Sequence, residues 1–288
     1  MLSVTLIIPT LGRTDEIEVL FASLAQQDIP ALDCIVIDQN PDGRLDEIVA
    51  RWQSTLSIRR IRAAPGASRA RNIGLDHATG DVVAFPDDDC WYFPALLQNA
   101  VRWFEEHPQF QILTVGAKDS NGVASGNRWI QDRCEIRPIN AFRTTFCSSI
   151  FTRRSVSSEA VRFDGAIGPG SGTRYGCGEE TDYILNRLRC GERGFFDRTW
   201  HVGHPKRDML SGQVDGRRAD GYGRGMGHVM RKHSLGVLWA SFVLYDYLRL
   251  ILVAIKGDFR AAKLCFHHGR GVAAGYLTGL SEAASVRT

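Results

Sequence analysis

Val82-Val83-Ala84-Phe85-Pro86-Asp87-Asp88-Asp89-Cys90 is the stretch on which the reading of this chain turns. A short apolar run makes a strand, and three adjacent carboxylates follow at its C-terminal edge. Such charges repel one another unless a cation gathers them. Hard divalent ions prefer oxygen ligands, and Mg²⁺ or Mn²⁺ held by one or two carboxylates takes its remaining ligands from water and a substrate's phosphates. The pattern therefore points to a phosphorylated substrate. A solvated acidic turn capping the aromatic helix that starts near Tyr92 explains three aspartates equally well by themselves, so the surrounding chain has to decide.

On both sides of this stretch the first 120 residues alternate β-branched runs with helical periodicity, the pattern of an α/β protein with a mostly parallel sheet covered by helices. Strands are expected at residues 4–9, 34–38, 58–62, 82–86 and 112–116. Between the first two, Thr14 is placed to cap a helix whose apolar residues Ile17, Leu20, Phe21 and Leu24 recur at i, i+3, i+4 and i+7. Further helices suit residues 45–52, 68–77 and 94–107. Ligands of open sheets bind outside the carboxyl ends of the strands, which singles out Thr10, Asp38 and Asp87 to Asp89. Beyond Lys118 the patterning weakens, with one strand expected at 145–152.

A glycine-rich run then leads through Gly168, Gly172 and Gly178 into Glu179-Glu180-Thr181-Asp182 and a helix. It reads either as a plain connector or as a segment that orders over substrate. A short strand at 195–197 precedes two histidines, His201 and His204, both candidate ligands. Seven scattered cysteines without a C-x-x-C pair imply neither a disulfide framework nor a zinc knuckle.

With 288 residues, 44% hydrophobic and 23% charged, the composition is that of one main domain with an appendage. The N-terminus enters a strand at once, with no secretory pattern, so a cytoplasmic protein is expected. The net charge of +3 hides an asymmetry: residues 217–270 hold ten lysines and arginines against Asp220, Asp246 and Asp258, net +7 against −4 elsewhere. Residues 235–255 are almost wholly apolar and long enough to span a bilayer. Asp246 and Arg249 near the middle would each cost about 2.5 to 3.5 kcal/mol there. An amphipathic helix lying on an anionic inner membrane surface fits better, and nucleic acid is not expected, because aliphatic runs rather than isolated aromatics separate the charges. Cutting after His233 should then release the protein from membranes while exposing little core.

Taken in order, these pieces resemble the family 2 glycosyltransferases of GT-A fold, specifically the inverting bacterial enzymes of surface-polysaccharide synthesis. The likeness rests on Ile8-Pro9-Thr10 with Arg13, Val36-Ile37-Asp38-Gln39-Asn40, Pro65-Gly66-Ala67-Ser68-Arg69-Ala70-Arg71-Asn72-Ile73-Gly74, the Asp-x-Asp carboxylates Asp87 and Asp89, Gly178-Glu179-Glu180-Thr181-Asp182, and a downstream histidine. It covers roughly residues 3 to 205, with a softer likeness through His233.

The resemblance implies a GT-A (Rossmann-like) catalytic domain over 1–230, with a nucleotide-sugar half at 1–116 and an acceptor half at 117–230. Residues 231–288 would form the helical appendage. It implies a nucleotide-diphosphate sugar donor, UDP- or dTDP-linked, contacted by Thr10, Arg13, Asp38, Arg71, Asp87 and Asp88. Mn²⁺ or Mg²⁺ would be held by Asp87, Asp89 and His204, with His201 the alternative histidine. Glu180 would be the catalytic base, and Glu179 and Asp182 would contact the acceptor. That acceptor is expected to be a glycan, carried on a polyprenyl diphosphate at the inner face of the membrane. Two departures stand out. Gln39 and Asn40 replace an acid that often follows Asp38, and Glu179-Glu180 replaces Glu-Asp, making the base one methylene longer.

Two other classes are weighed against this one. A sugar nucleotidyltransferase expects a glycine-rich phosphate loop directly after strand one, which Pro9-Thr10-Leu11-Gly12-Arg13 is not. A non-catalytic nucleotide-sugar-binding member of an assembly complex has no need of both acidic pairs.

Overall fold

The computed structural model describes residues 1–125, 129–154, 161–206 and 215–285. It divides into two compact units, one of Met1–Phe163 with Tyr183–Lys206 and one of Asp164–Asp182 with Arg207–Thr288.

The first unit is built on a nine-stranded mixed sheet. β1 (Val4–Thr10), β2 (Leu32–Asp38), β3 (Ser57–Arg62) and β4 (Val82–Ala84) run parallel in the order β3-β2-β1-β4. β1, β2 and β4 are largely apolar and buried, as strands covered on both faces are, whereas β3, Ser-Ile-Arg-Arg-Ile-Arg, is mostly exposed or half-buried. β8 (Ile150–Arg153) pairs antiparallel with β4 and with β6 (Ile112–Lys118). β9 (Gly194–Gly203) then runs parallel to β6, and takes β5 (Trp91–Tyr92) and β7 (Cys134–Ile136) antiparallel. All five strands expected in the first 120 residues are present within a few residues of their expected bounds.

The helices α1 (Asp15–Leu24), α2 (Asp46–Trp52), α3 (Ala67–His77) and α4 (Leu96–Glu106) lie where periodicity puts them. Ile17, Leu20, Phe21 and Leu24 of α1 are fully buried. Thr14 does not cap this helix with its side chain: its hydroxyl bonds no backbone N–H of the first turn and points instead to the Asp15 carboxylate at 3.4 Å. The strand expected at 145–152 is mostly not one either. Cys147–Ser149 forms a 3₁₀ turn before β8 begins, because Ser149 donates to the Phe146 carbonyl at 2.8 Å and Ser148 turns its hydroxyl to Asp87. Serine hydroxyls that bond locally in this way compete with the sheet ladder.

The second unit is helical. α5 (Glu179–Arg189) begins in it and ends in the first unit; α6 (Gly216–Lys232), α7 (Gly236–Ile255) and α8 (Phe259–Ser285) complete it. α6 and α8 touch backbone to backbone through two Gly-x-x-x-Gly pairs, Gly223/Gly227 and Gly271/Gly275. A Cβ at Gly223 would sit 2.2 Å from the His268 carbonyl oxygen, one at Gly227 2.2 Å from that of Val272, and one at Gly275 2.2 Å from that of Arg224. Small residues four apart on both helices allow this approach. α7 joins α8 through a Trp239–Tyr276 stack at 4.5 Å and through Asp246, which is buried and accepts from His268 Nδ1 at 2.6 Å.

This packing moves the expected boundary. α6 and α8 belong to one unit, so the appendage does not start at 231, and a cut after His233 would strip α8 from the glycine face of α6 and expose core. Gly227→Val is expected to destabilise the protein by about 3 kcal/mol or more, read as a lower urea midpoint. Gly221, on the same helix, has no neighbour closer than 3.8 Å to an added Cβ. Gly221→Ala should therefore stabilise by about 0.5 to 1 kcal/mol through helix propensity alone.

Candidate active site

The parallel pairing brings Thr10 beside Asp38, and β4, paired with β1 from Val4 to Leu6, runs toward the same edge, so the carboxyl ends of β1, β2 and β4 point to one side of the sheet. Pro86 cannot donate to a ladder, and the chain leaves the sheet into Asp87-Asp88-Asp89. Each aspartate has its own partners. Asp87 accepts from Arg71 Nη2 at 2.8 Å and from Ser148 Oγ at 2.8 Å. Asp88 pairs with Arg13 and lies 3.4 Å from the Leu11 N–H; burial pushes its carboxyl up to about 6 although Arg13 opposes the shift. Asp89 meets Arg13 Nη2 at 3.0 Å. Two arginines thus oppose three carboxylates.

His204 comes to the same place. One oxygen each of Asp87 and Asp89 and one ring nitrogen of His204 lie within 4.8 Å of one another. Opposite donors of a six-coordinate Mg²⁺ stand about 4.2 Å apart, so the set fits one divalent ion with little movement. The imidazole is oriented for it. Nδ1 donates to the Pro205 carbonyl at 2.8 Å, which leaves Nε2, 3.5 Å from Asp89 Oδ1, as the lone-pair side. Phe146 closes the ring's flank edge-on at 4.8 Å. His201 is not part of this cluster; it lies against Gly116, and burial, with Lys118 and Arg198 adding to it, pushes its pKa down to about 4.

At the other end of the edge the expected contacts look different. Thr10 and Asp38 are buried, and Asp38 accepts from the Asn40 N–H at 3.0 Å and its amide at 2.8 Å. As it stands Asp38 offers no surface to a base, and it fixes the turn that follows β2. Gln39 and Asn40, in place of an acid, tie loops together: Gln39 Oε1 accepts from the Gly66 N–H and Asn40 Oδ1 from the Gly12 N–H, both at 2.6 Å. Arg13 and Asp87, whose side chains are 26% and 27% exposed, are the reachable members of the donor set, whereas Arg71 is buried behind Asp87.

Residues absent from the sequence reading complete the site. Ser148 braces Asp87, and Ser125 Oγ lies 3.4 Å from His204 Nδ1. Arg60 and Arg62 stand 3.8 and 3.4 Å from Asp38. Their i, i+2 spacing on β3 was the available signal, because it sets both on the face that a parallel β2 shares.

In the second unit, the first turn of α5 presents the acidic element. Glu179 is buried beneath Gly168, whose φ of 101° and missing Cβ allow the contact. Asp182 is fully buried, with its oxygens taken by His233 Nε2 at 2.8 Å and Lys232 Nζ at 2.9 Å. The expected acceptor contact of Asp182 is thereby replaced by an ion-pair anchor. Glu180, between them, is only half-buried.

Comparison with known proteins agrees with this geometry. A structure of Staphylococcus aureus TarS residues 1–349 in complex with UDP-GlcNAc superposes with a TM-score of 0.60 at 18% identity, covering 96% of this chain and 92% of that one. The mannosyltransferase PcManGT from Pyrobaculum calidifontis, in complex with GDP-Man and Mn²⁺, gives 0.58 at 16% identity over 99% and 80%. These likenesses carry the fold, which is GT-A. An uncharacterized glycosyltransferase of Haemophilus influenzae is 24% identical over 185 residues, 64% of this chain, and the uncharacterized glycosyltransferase YibD of Escherichia coli is 28% identical over 146 residues, 44% of this chain. The chain spans 62% and 42% of the lengths of these two relatives. The glycosyl transferase family 2 model matches residues 5–158, more than half of the chain and the whole stretch from β1 through the aspartates to β8. By that match, and with the sheet edge and its aspartates arranged as described, the chain belongs to glycosyl transferase family 2.

Proposed function

We propose that this protein transfers a sugar from a nucleoside-diphosphate sugar to a hydroxyl of a glycan acceptor, with inversion, in surface-polysaccharide synthesis. The observation that carries the reading is the convergence of Asp87, Asp89 and His204 at the carboxyl edge of the parallel strands. These three would hold Mn²⁺ or Mg²⁺, which when bound supplies positive charge to the departing diphosphate. Arg13 and Arg71 keep the carboxylates in place, and Arg13 is exposed enough to reach a phosphate as well. Glu180 accepts the proton of the attacking hydroxyl. As the acceptor oxygen bonds the anomeric carbon, the bond from that carbon to the phosphate oxygen breaks on the opposite face and its electron pair leaves with the nucleoside diphosphate. A single displacement of this kind inverts the anomeric centre.

A nucleotidyltransferase would leave the backbone amides after β1 open to phosphates. Here the Gly12 and Leu11 N–H groups are turned to Asn40 and Asp88.

The test is a thermal-shift panel of UDP-, dTDP- and GDP-sugars. One donor is expected to raise the melting temperature by about 5 to 10 °C at a hundred times its Kd, with Mn²⁺ and not with excess chelator, and to release nucleoside diphosphate. A panel without any metal-dependent shift would overturn the reading.

The acceptor we propose is lipid-linked, met at the inner face of the cytoplasmic membrane. Among the described residues one helix, α7, is long and apolar enough to cross a membrane by length and composition, and almost none of it is buried. Val237, Leu244, Leu248, Ile251 and Ile255 are exposed along it, and Lys256 and Arg260 follow. Asp246 faces α8 and is hydrogen-bonded to His268, so the outer face stays apolar while the pair itself suits a helix lying on, rather than through, a bilayer. Joint Ile251→Glu and Ile255→Glu substitution should lower sedimentation with anionic vesicles by about 10²-fold. Equal sedimentation of both proteins would count against the membrane surface.

A further inference from the structure

Strand β9 carries an irregularity that the metal cluster does not use. Asp197 pairs with Val115, but the next paired residue, beside Gly116, is His201. Arg198, Thr199 and Trp200 therefore have no opposite number on β6. A regular strand would send Thr199, Trp200 and His201 to alternate faces, whereas this bulge turns all three to one cavity.

The bulge is built in. Fully buried Asp197 accepts from the Thr199 N–H at 2.9 Å and from its hydroxyl at 2.6 Å, and pairs with Arg133 at 2.6 Å. Gly116 makes the space, since a Cβ there would lie 2.8 Å from His201 Cδ2.

The cavity measures about 460 Å³, within the range of about 300 to 1,000 Å³ of small-ligand sites, and lies wholly in the first unit. Phe93, Leu96 and Trp200 give it apolar and aromatic walls. Asn99, Lys118, Trp200 and His201 also line it, and none of their side chains hydrogen-bonds a described residue. His201, with its pKa pushed down to about 4, is uncharged at neutral pH and offers one donor and one acceptor. Lys118 is balanced by Asp119 in the same lining, so the cavity is not an anion site. A pyranose matches it: the C–H face of a sugar ring is apolar and lies flat on an aromatic ring, and its hydroxyls both donate and accept.

We propose that this cavity is a subsite for one pyranose residue of a neutral glycan, holding the acceptor by a sugar other than the one that attacks. The inference rests on the transfer reading above, and the experiment separates the two. Saturation-transfer NMR is run on the full chain with the methyl glycosides of glucose, galactose, mannose and N-acetylglucosamine, beside a titration with UDP and Mn²⁺. At least one glycoside should receive saturation on its ring C–H protons. Its binding should weaken about tenfold in Trp200→Ala and about threefold in Asn99→Ala, each the loss of one contact, with nucleotide affinity unchanged. Asn99 sits half-buried on the first turn of α4, so that variant keeps the test alive if Trp200→Ala fails to fold. No transfer to any of the four glycosides, or undiminished transfer in Asn99→Ala and Trp200→Ala, overturns the subsite. Glycoside binding without nucleotide binding leaves the subsite standing and overturns the donor reading instead.

Discussion

Asp89→Asn is expected to lower the turnover of nucleoside-diphosphate sugar in Mn²⁺ by about 10³-fold or more, while the protein stays folded. The side chain is nearly isosteric, so packing changes little, but one of the two negative ligands is lost. Asp89 stands between Arg13 Nη2 at 3.0 Å and His204 Nε2 at 3.5 Å, and only a carboxylate can answer the arginine while still offering an anionic oxygen to an ion. Several kcal/mol of charge stabilisation on the leaving diphosphate depend on that ion, which corresponds to a factor of about 10³. Release of nucleoside diphosphate and a Mn²⁺ titration measure the two parts separately. Unchanged turnover, or full activity of the unaltered protein in excess chelator, would remove the metal from the mechanism.

Glu180→Gln should reduce turnover by about 10² to 10⁴-fold and leave donor binding almost intact. Three acids open α5, and their surroundings differ. Glu179 is buried under Gly168 and Asp182 is spent on Lys232 and His233, whereas Glu180 is the half-buried member. A base must reach the acceptor hydroxyl, so a half-exposed carboxylate is the one that suits. A glutamine there keeps the shape and loses the proton acceptor, and the acidic limb of the pH–rate profile should vanish with it. A matching loss of nucleotide affinity would mark Glu180 as structural.

Much of the first unit was legible before any coordinates. The largely apolar runs of β1, β2 and β4 read as strands buried on both faces, and the i, i+3, i+4, i+7 pattern of α1 appears intact in its four buried residues. Adjacent aspartates at the end of β4 needed no tertiary knowledge to be linked. Local chemistry misled in two places. Thr14 has the right residue type for a cap but not the backbone, and the hydroxyls of Ser148 and Ser149 drew the first part of an expected strand into a 3₁₀ turn. The C-terminal region misled for a different reason. Glycine-rich α6 has few apolar side chains to read, since much of its contact with α8 is made at the backbone of its glycines.

The sequence by itself determined the α/β class, the order of the parallel strands' motifs and the carboxylates at their edge, because periodicity and adjacency are properties of neighbouring residues. Only the tertiary structure decided that His204 rather than His201 joins Asp87 and Asp89, that Asp182 is an anchor, and that Asp38 turns inward. Those outcomes depend on which strands pair, on a bulge in β9 and on helix faces far apart in the chain. The contacts that settle them span tens of residues, and no local pattern encodes them.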